Sequence, residues 1–198
     1  MGDLRALRGR ARWTLVRRRL VRAVGKRVDN VLLPSSLRDV LFVCHGNIMR
    51  SAMAAALFRE ELRRSAIVDV TIHSAGLAAT AGLSADSRAR LIADGFGISL
   101  ESHRATPVSR ELVAGADIVL VMDWRNEAEL LARFPELSHK ILMLGALAPN
   151  SFDDWPSIRD PFTRSDAEAE LCFHRIQAAV VALASQVRAS RSLVRDRD

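Results

Sequence analysis

Cysteine is scarce in this chain. Among its 198 residues only Cys44 and Cys172 occur, too few for a disulfide framework, and that usage points to a reducing compartment. Long apolar runs are missing too. No stretch approaches the roughly 20 residues that span a bilayer. The basic N-terminus lacks the continuous apolar segment of a secretory signal, so neither a membrane span nor a signal is expected. Gly2 is followed by Ala6 where N-myristoylation wants Ser or Thr, so that pattern fails. There are no internal repeats and no low-complexity segments. At 49% hydrophobic and 26% charged, the composition excludes a disordered or collagenous chain, and the length suits one domain with a sizeable core.

Charge is unevenly distributed. The formal net charge is +6, but residues 1–38 hold eleven Lys/Arg against two acidic residues, and the rest holds eighteen against twenty-one. A strongly basic arm thus precedes a mildly acidic body. The overall basicity is therefore no argument for nucleic-acid binding, no nucleic-acid motif occurs, and none is expected as a partner. Within the arm, taken as residues 1–36, Trp13, Val16, Leu20, Val24, Val28 and Val31 recur at three- or four-residue steps, an amphipathic helical pattern. Arg18, Arg22 and Lys26 fall opposite, Gly25 weakens the helix, and Leu33-Pro34-Ser35-Ser36 reads as a break. One reading packs this helix on the body with its basic face solvated. Another docks residues 4–28 on an anionic membrane surface or an acidic partner. A mitochondrial presequence is a third, disfavoured because residues 4–28 contain no serine.

Beyond the arm, strands and helices alternate. Apolar runs at Asp39–Cys44, Val68–His73, Asp117–Met122 and Lys140–Leu144 predict four strands. Helices are predicted from Ser51 to about Arg64, near Asp86–Asp94, Arg110–Ala114 and Arg125–Arg133, and from Asp166 to about Ser190. Near-continuous apolar strands separated by helices predict an α/β fold of three layers, a four-stranded parallel sheet covered on both faces. The domain is placed at residues 37–190, with 191–198 as a tail.

Ligands of open parallel sheets bind beyond the C-terminal ends of the strands. The first strand ends at Cys44, and Cys44-His45-Gly46-Asn47-Ile48-Met49-Arg50-Ser51 leads directly into a helix. A helix N-terminus offers unpaired N–H groups and a positive dipole end to an anion. Gly46 and Asn47 tolerate the positive φ of a tight cradling turn. Cys44 beside Arg50 is placed where its thiolate should be favoured, as a nucleophile requires, and Arg50 adds a planar fork for two oxygens of a phosphate. Ser51 is placed to donate to the sulfur. The loop therefore predicts an oxyanion held against a sulfur nucleophile; the plainer reading is Cys44 as a buried core thiol.

The loop resembles the phosphate-binding loop of the low-molecular-weight protein tyrosine phosphatases, and the resemblance extends over about residues 38–190. His73-Ser74-Ala75-Gly76, Gly97-Ile98-Ser99 with His103-Arg104-Ala105, Met122-Asp123-Trp124-Arg125-Asn126 and Ile158-Arg159-Asp160-Pro161-Phe162 are similar to its further motifs, in order. The resemblance implies hydrolysis of phosphotyrosine through a cysteinyl-phosphate, with no metal and no cofactor. Cys44 would attack phosphorus. Arg50 and the N–H groups of His45, Gly46, Asn47, Ile48, Met49 and Arg50 would hold the phosphoryl oxygens, and Asp160 would act as acid and then base. Asn47, Ser51, Ser74 and His103 would form a hydrogen-bond network keeping the loop in shape. Read from the residues alone, Asp160-Pro161 is also compatible with a mere turn, and Asp153 or Asp154 could be the acid. Asp123 could equally be a helix N-cap or a site residue. Cys172 reads as core.

Four departures qualify the resemblance. Met49 replaces a second loop cysteine, so a protective disulfide with Cys44 cannot form. Ala52 stands where a proline usually follows. With no tyrosine in the chain, Phe162 keeps one ring of the substrate wall, Thr163 replaces another and Thr80 replaces a tryptophan. The arm is an addition. A branch acting on phosphoarginine carries threonine where Ile48 stands here, so Ile48 favours phosphotyrosine over that alternative. Thioredoxin-coupled arsenate reduction needs two further cysteines, and only Cys172 remains. A catalytically weak phosphate-binding module is the non-enzymatic alternative, disfavoured by intact Cys44, Arg50 and Asp160. The expected partner is a phosphotyrosine protein, a tyrosine kinase among the candidates. The expected location is the cytoplasm, with peripheral membrane contact left open.

Overall fold

Val40, Leu41, Phe42 and Val43 are all fully buried, which a strand achieves only when both its faces are covered. They belong to β1 (Asp39–Cys44), an inner strand of a parallel sheet completed by β2 (Thr71–Gly76), β3 (Ile118–Val121) and β4 (Ile141–Met143) in the order β2-β1-β3-β4. The helices are α1 (Arg50–Arg64), α2 (Ser87–Gly95), α3 (Arg110–Gly115), α4 (Trp124–Arg133) and α5 (Asp166–Arg195), with short 3-10 turns at Pro135–Lys140 and Leu144–Leu147. This computed structural model describes residues 37–148 and 155–195. The expectations for the arm and for Asp153 and Asp154 lie outside the described residues.

Period-two alternation sorts the strand side chains into two cores. Val40, Phe42, Ile118 and Leu120 join Met53 and Phe58 of α1, Ala89 of α2, and Phe173, Ile176 and Val180 of α5. Leu41, Val43, Val119 and Val121 join Val113 of α3 and Leu130 and Leu131 of α4 on the other face. The fold is thus the three-layer α/β arrangement with a four-stranded parallel sheet. In α1 the buried positions Ala52, Ala54 and Ala55 are small, which lets the helix lie close to its neighbours. α5 begins with a capping box: Glu168 N donates to Ser165 Oγ at 3.3 Å and Ser165 N to Glu168 Oε2 at 3.2 Å. Among the described residues no helix is long and apolar enough to cross a membrane.

Two boundaries differ from those read in the sequence. β2 starts and ends later than the run Val68–His73. Val68 is 91% exposed, whereas Ser74, Ala75 and Gly76 pair with Phe42, Val43 and Cys44. The register of an edge strand follows its partner rather than its own hydrophobicity. α5 continues past 190 to Arg195, and Arg191 there ion-pairs with Asp69 and donates from Nη2 to Leu37 O at 3.4 Å. Long-range contacts to the start of β1 hold turns that the local sequence does not mark.

The strand order places the site. From β1 the chain moves to one side, to β2, and then crosses to β3 on the other side. The ends of β1 and β3 therefore diverge at a topological switch point, where such sheets bind ligands.

Candidate active site

β1 delivers Cys44 to this point, and α1 begins six residues later. α2, α3 and α4 are each capped by a side chain, Asp86, Ser109 and Asp123, but α1 has no side-chain cap and no acidic residue in its first turn. Its leading N–H groups and dipole are thus left to an incoming anion. The loop closes on Asn47, at φ 55°, a left-handed conformation that asparagine tolerates. Asn47 N donates to Cys44 Sγ at 3.2 Å. Its side-chain Nδ2 donates to Ser51 Oγ at 2.9 Å and to Ser74 Oγ at 3.0 Å, and its Oδ1 accepts from Thr106 N at 2.8 Å. His103 Nε2 donates to Asn47 O at 2.6 Å, which fixes the proton on that nitrogen, since a carbonyl can only accept. Burial pushes the His103 pKa below its ordinary 6.5. The bond to Asn47 opposes this, while Arg59 and Arg104 add to it.

Ser51 Oγ lies 3.0 Å from Cys44 Sγ and 3.3 Å from Ala75 O. That oxygen accepts from Asn47 Nδ2, and its single proton faces two acceptors, Ala75 O and the sulfur. The Asn47 N–H and the Ser51 hydroxyl thus both stand within hydrogen-bonding distance of Sγ. Gly76 explains the close seating of the loop on β2. A Cβ at this position would lie 2.7 Å from His45 O and 2.8 Å from Asn47 N.

Arg50 is buried at the head of α1 and links three segments of chain. Nη1 donates to Asp123 Oδ2 at 2.6 Å and to Ile158 O at 3.0 Å, and Nη2 pairs with Asp160 Oδ2 at 2.6 Å. Burial works against its charge, but Asp123, Asp160 and Cys44 outweigh it and raise the pKa, so the guanidinium stays cationic. Asp123 serves two purposes. Oδ1 caps α4 through Asn126 N at 2.7 Å, while Oδ2 holds Arg50 across the switch point. Gly145 lets the Asp160 segment approach the sheet, since a Cβ there would run into the Pro156 carbonyl, and Ile158 N donates to Met122 O at 2.7 Å.

Cys44, His45, Gly46, Ile48, Met49, Arg50, Asp160 and Phe162 line one open pocket of about 180 Å³. Ile48, Met49 and Phe162 give it an apolar wall, with Phe162 52% exposed at its mouth. Asn47, Ser51, Ser74 and His103 stand behind the loop rather than in the pocket. Thr80, expected at the wall, does not line it; it is exposed in the turn after β2, where its carbonyl accepts from Leu83 N at 3.2 Å. Cys172 is buried on α5, donates to Arg159 O at 3.5 Å, and burial pushes its pKa up to about 12. Asp123, read as either an N-cap or a site residue, is both, and Thr106 is a contributor that the expected site left out. The Met122-Asp123 motif held the signal for the first, whereas a backbone N–H leaves none for the second. Among the described residues no His, Cys, Asp and Glu side chains gather in a group that could hold a metal ion.

The same arrangement has relatives. The sequence profile described as low molecular weight phosphotyrosine protein phosphatase matches residues 39–193. The probable low molecular weight protein-tyrosine-phosphatase EpsP of Ralstonia nicotianae is 35% identical over 153 residues, 77% of this chain and 98% of that protein. The solved tyrosine phosphatase Wzb of Escherichia coli K30, in complex with sulphate, superposes with a TM-score of 0.67 at 28% identity, covering 77% of this chain and 99% of that one. The arginine phosphatase YwlE of Geobacillus stearothermophilus superposes with a TM-score of 0.68, also at 28% identity, covering 78% and 95%. With its profile matched over the whole body and Cys44, Arg50 and Asp160 sharing one pocket at the switch point, the chain belongs to the low-molecular-weight protein-tyrosine-phosphatase family.

Proposed function

We propose that the protein hydrolyses phosphotyrosine in proteins, with Cys44 as nucleophile, Arg50 as phosphate clamp and Asp160 as general acid and base. The observation that carries this reading is the pocket floor: Cys44 Sγ receives the Asn47 N–H and lies 3.0 Å from the Ser51 hydroxyl, beside a buried, charge-paired Arg50. A phosphate monoester entering the pocket takes the place of Asp160 on Nη2, while Asp123 and Ile158 O keep Nη1 fixed. The thiolate then forms an S–P bond as the P–O bond to the phenol breaks. Asp160, released from Arg50, takes up a proton from solvent and gives it to the departing oxygen. The resulting carboxylate takes a proton from water, which attacks phosphorus, breaks the S–P bond and restores the thiolate. Arg50 and the loop N–H groups hold the equatorial oxygens throughout, the electrostatic contribution that phosphoryl transfer needs most.

Ile48, Met49 and Phe162 support an aryl leaving group, because an aromatic ring gains from apolar walls. Phosphoarginine is the second reading, since the YwlE structure superposes as well as the Wzb structure. The excess of basic residues in 4–28 supports a peripheral role for the arm at an anionic membrane surface or acidic partner in the cytoplasm. The test is hydrolysis of an aryl phosphate with chelator present. Wild-type activity, its abolition in Cys44→Ser and a loss of about a hundredfold or more in Asp160→Asn are expected. An inactive wild type that still binds phosphate would favour the binding-module reading. Parallel assays on phosphotyrosine and phosphoarginine peptides decide the substrate.

A further inference from the structure

Arg88 stands in the first turn of α2, outside the pocket, yet both terminal nitrogens of its guanidinium donate to the segment that carries Asp160. Nη2 donates to Phe162 O at 2.6 Å and to Pro161 O at 3.5 Å, and Nη1 donates to Arg164 O at 2.7 Å. Flanking carboxylates hold the fork in place: Asp86 Oδ1 lies 3.7 Å from Nε and Asp166 Oδ1 3.6 Å from Nη1. Asp86 has a second attachment. Its backbone N–H donates to Ile48 O at 2.9 Å, in the loop that carries Cys44, while its carboxylate caps α2 through Arg88 N at 3.0 Å and Ala89 N at 3.4 Å. The three residues Asp86–Arg88, the N-cap and first two positions of α2, thus connect the nucleophile loop to the acid segment.

That connection matters because residues 156–165 form no helix or strand: Ile158 ties the segment to Met122 O and Arg50, and the Phe162 N–H that reaches Asp160 Oδ1 at 3.3 Å belongs to the same segment and moves with it. Asp160 is 41% exposed on its side chain, and Arg50 Nη2, its ion-pair partner, is the group that must be yielded to a phosphate. Once that pair opens, something else must keep the carboxyl over the leaving oxygen. Carbonyls of the three residues Pro161, Phe162 and Arg164, gripped by one planar fork anchored to the Cys44 loop, do this by geometry. Lysine could not, since a single ammonium is a point charge without the fork.

We propose that Arg88 is a positioning residue for proton transfer by Asp160, with the Asp86–Arg88 turn setting the distance between nucleophile and acid. The inference rests on the reading of Asp160 as general acid. A lost acid is felt most by substrates whose leaving group needs a proton, so phenyl phosphate and dinitrophenyl phosphate separate it from a general loss of structure. In Arg88→Ala, kcat/KM on phenyl phosphate is expected to fall about tenfold or more, with less than about threefold change in kcat/KM on dinitrophenyl phosphate and in vanadate affinity. Arg88→Lys recovers little of the loss. Placed on Asp160→Asn, Arg88→Ala adds less than about twofold on phenyl phosphate, because two residues acting through one step are not additive. Equal losses on both substrates, or an additive loss on Asp160→Asn, overturn the inference while the phosphatase reading stands. A wild type inactive on both substrates overturns that reading, and the inference falls with it.

Discussion

At the scale of single residues, the site works by giving its key polar side chains more than one partner. Asp123 divides its oxygens between the α4 cap and Arg50, so the two tasks can be separated by substitution. Asn in place of Asp123 keeps an acceptor for Asn126 N but removes the charge beside Nη1. Asp123→Asn should keep most of the thermal stability and lower kcat/KM on an aryl phosphate by about tenfold to a hundredfold, roughly 1.4–2.7 kcal/mol of transition-state stabilisation. A pH effect belongs to this scale as well. The folded His103 pKa is depressed, chiefly by burial, so the unfolded chain binds that proton more readily. Its contribution to stability is therefore complete above the ordinary 6.5 and is lost as pH falls through the lower folded value. The unfolding midpoint of the wild type should drop more between about pH 7.5 and pH 5.5 than that of His103→Gln. Equal slopes for the two proteins would show that His103 carries no such linkage.

At the scale of elements, the site depends on backbone meeting backbone. The loop after β1 lies so close to the end of β2 that Gly76 has no room for a methyl group. In Gly76→Ala the contacts at His45 O and Asn47 N force the loop to shift, since neither backbone atom can swing aside as a flexible side chain would. Vanadate affinity and aryl phosphate turnover should both fall by about tenfold or more, with a smaller effect on the unfolding midpoint. A variant with unchanged vanadate binding would show that the cradle accommodates the methyl group. The loop itself was legible in the sequence because a strand, an anion-cradling turn and a helix start are consecutive there. Asp123, Thr106 and Ile158 reach the same site from positions 59 to 108 residues away from their partners, a convergence that no local pattern announces.

At the scale of the whole molecule, the length of β1 separates the first described residues from the pocket. Leu37, where the described chain begins, lies at the N-terminal end of β1 and is held by Arg191 of α5, whereas the Cys44 loop leaves the other end. A six-residue strand puts about 20 Å between them. A surface that met the protein at Leu37 would therefore lie at the opposite end of β1 from the Cys44 loop. Removing residues 1–34 should change kcat/KM on an aryl phosphate by less than about twofold while abolishing sedimentation with anionic liposomes. Equal sedimentation of both forms would dismiss the membrane reading. A large loss of turnover would place the arm in the chemistry instead.

The sequence by itself determined what is local or periodic: buried strands from near-continuous apolar runs, helices from their spacing, and a contiguous Cys44–Ser51 loop whose chemistry needs adjacent residues. It misplaced β2, because an edge strand takes its register from the strand beside it and Val68 has no partner to bury it. Thr80 was expected at a wall that it does not line. Only the tertiary structure decided which distant groups share the pocket. Asp160 and Asp123 meet on Arg50 because the chain crosses the sheet at the β1–β3 switch point, and Arg88 meets the acid segment because α2 starts on the Cys44 loop. Those meetings are set by strand order and by carbonyl positions, and neither property is carried by the identity of any one residue.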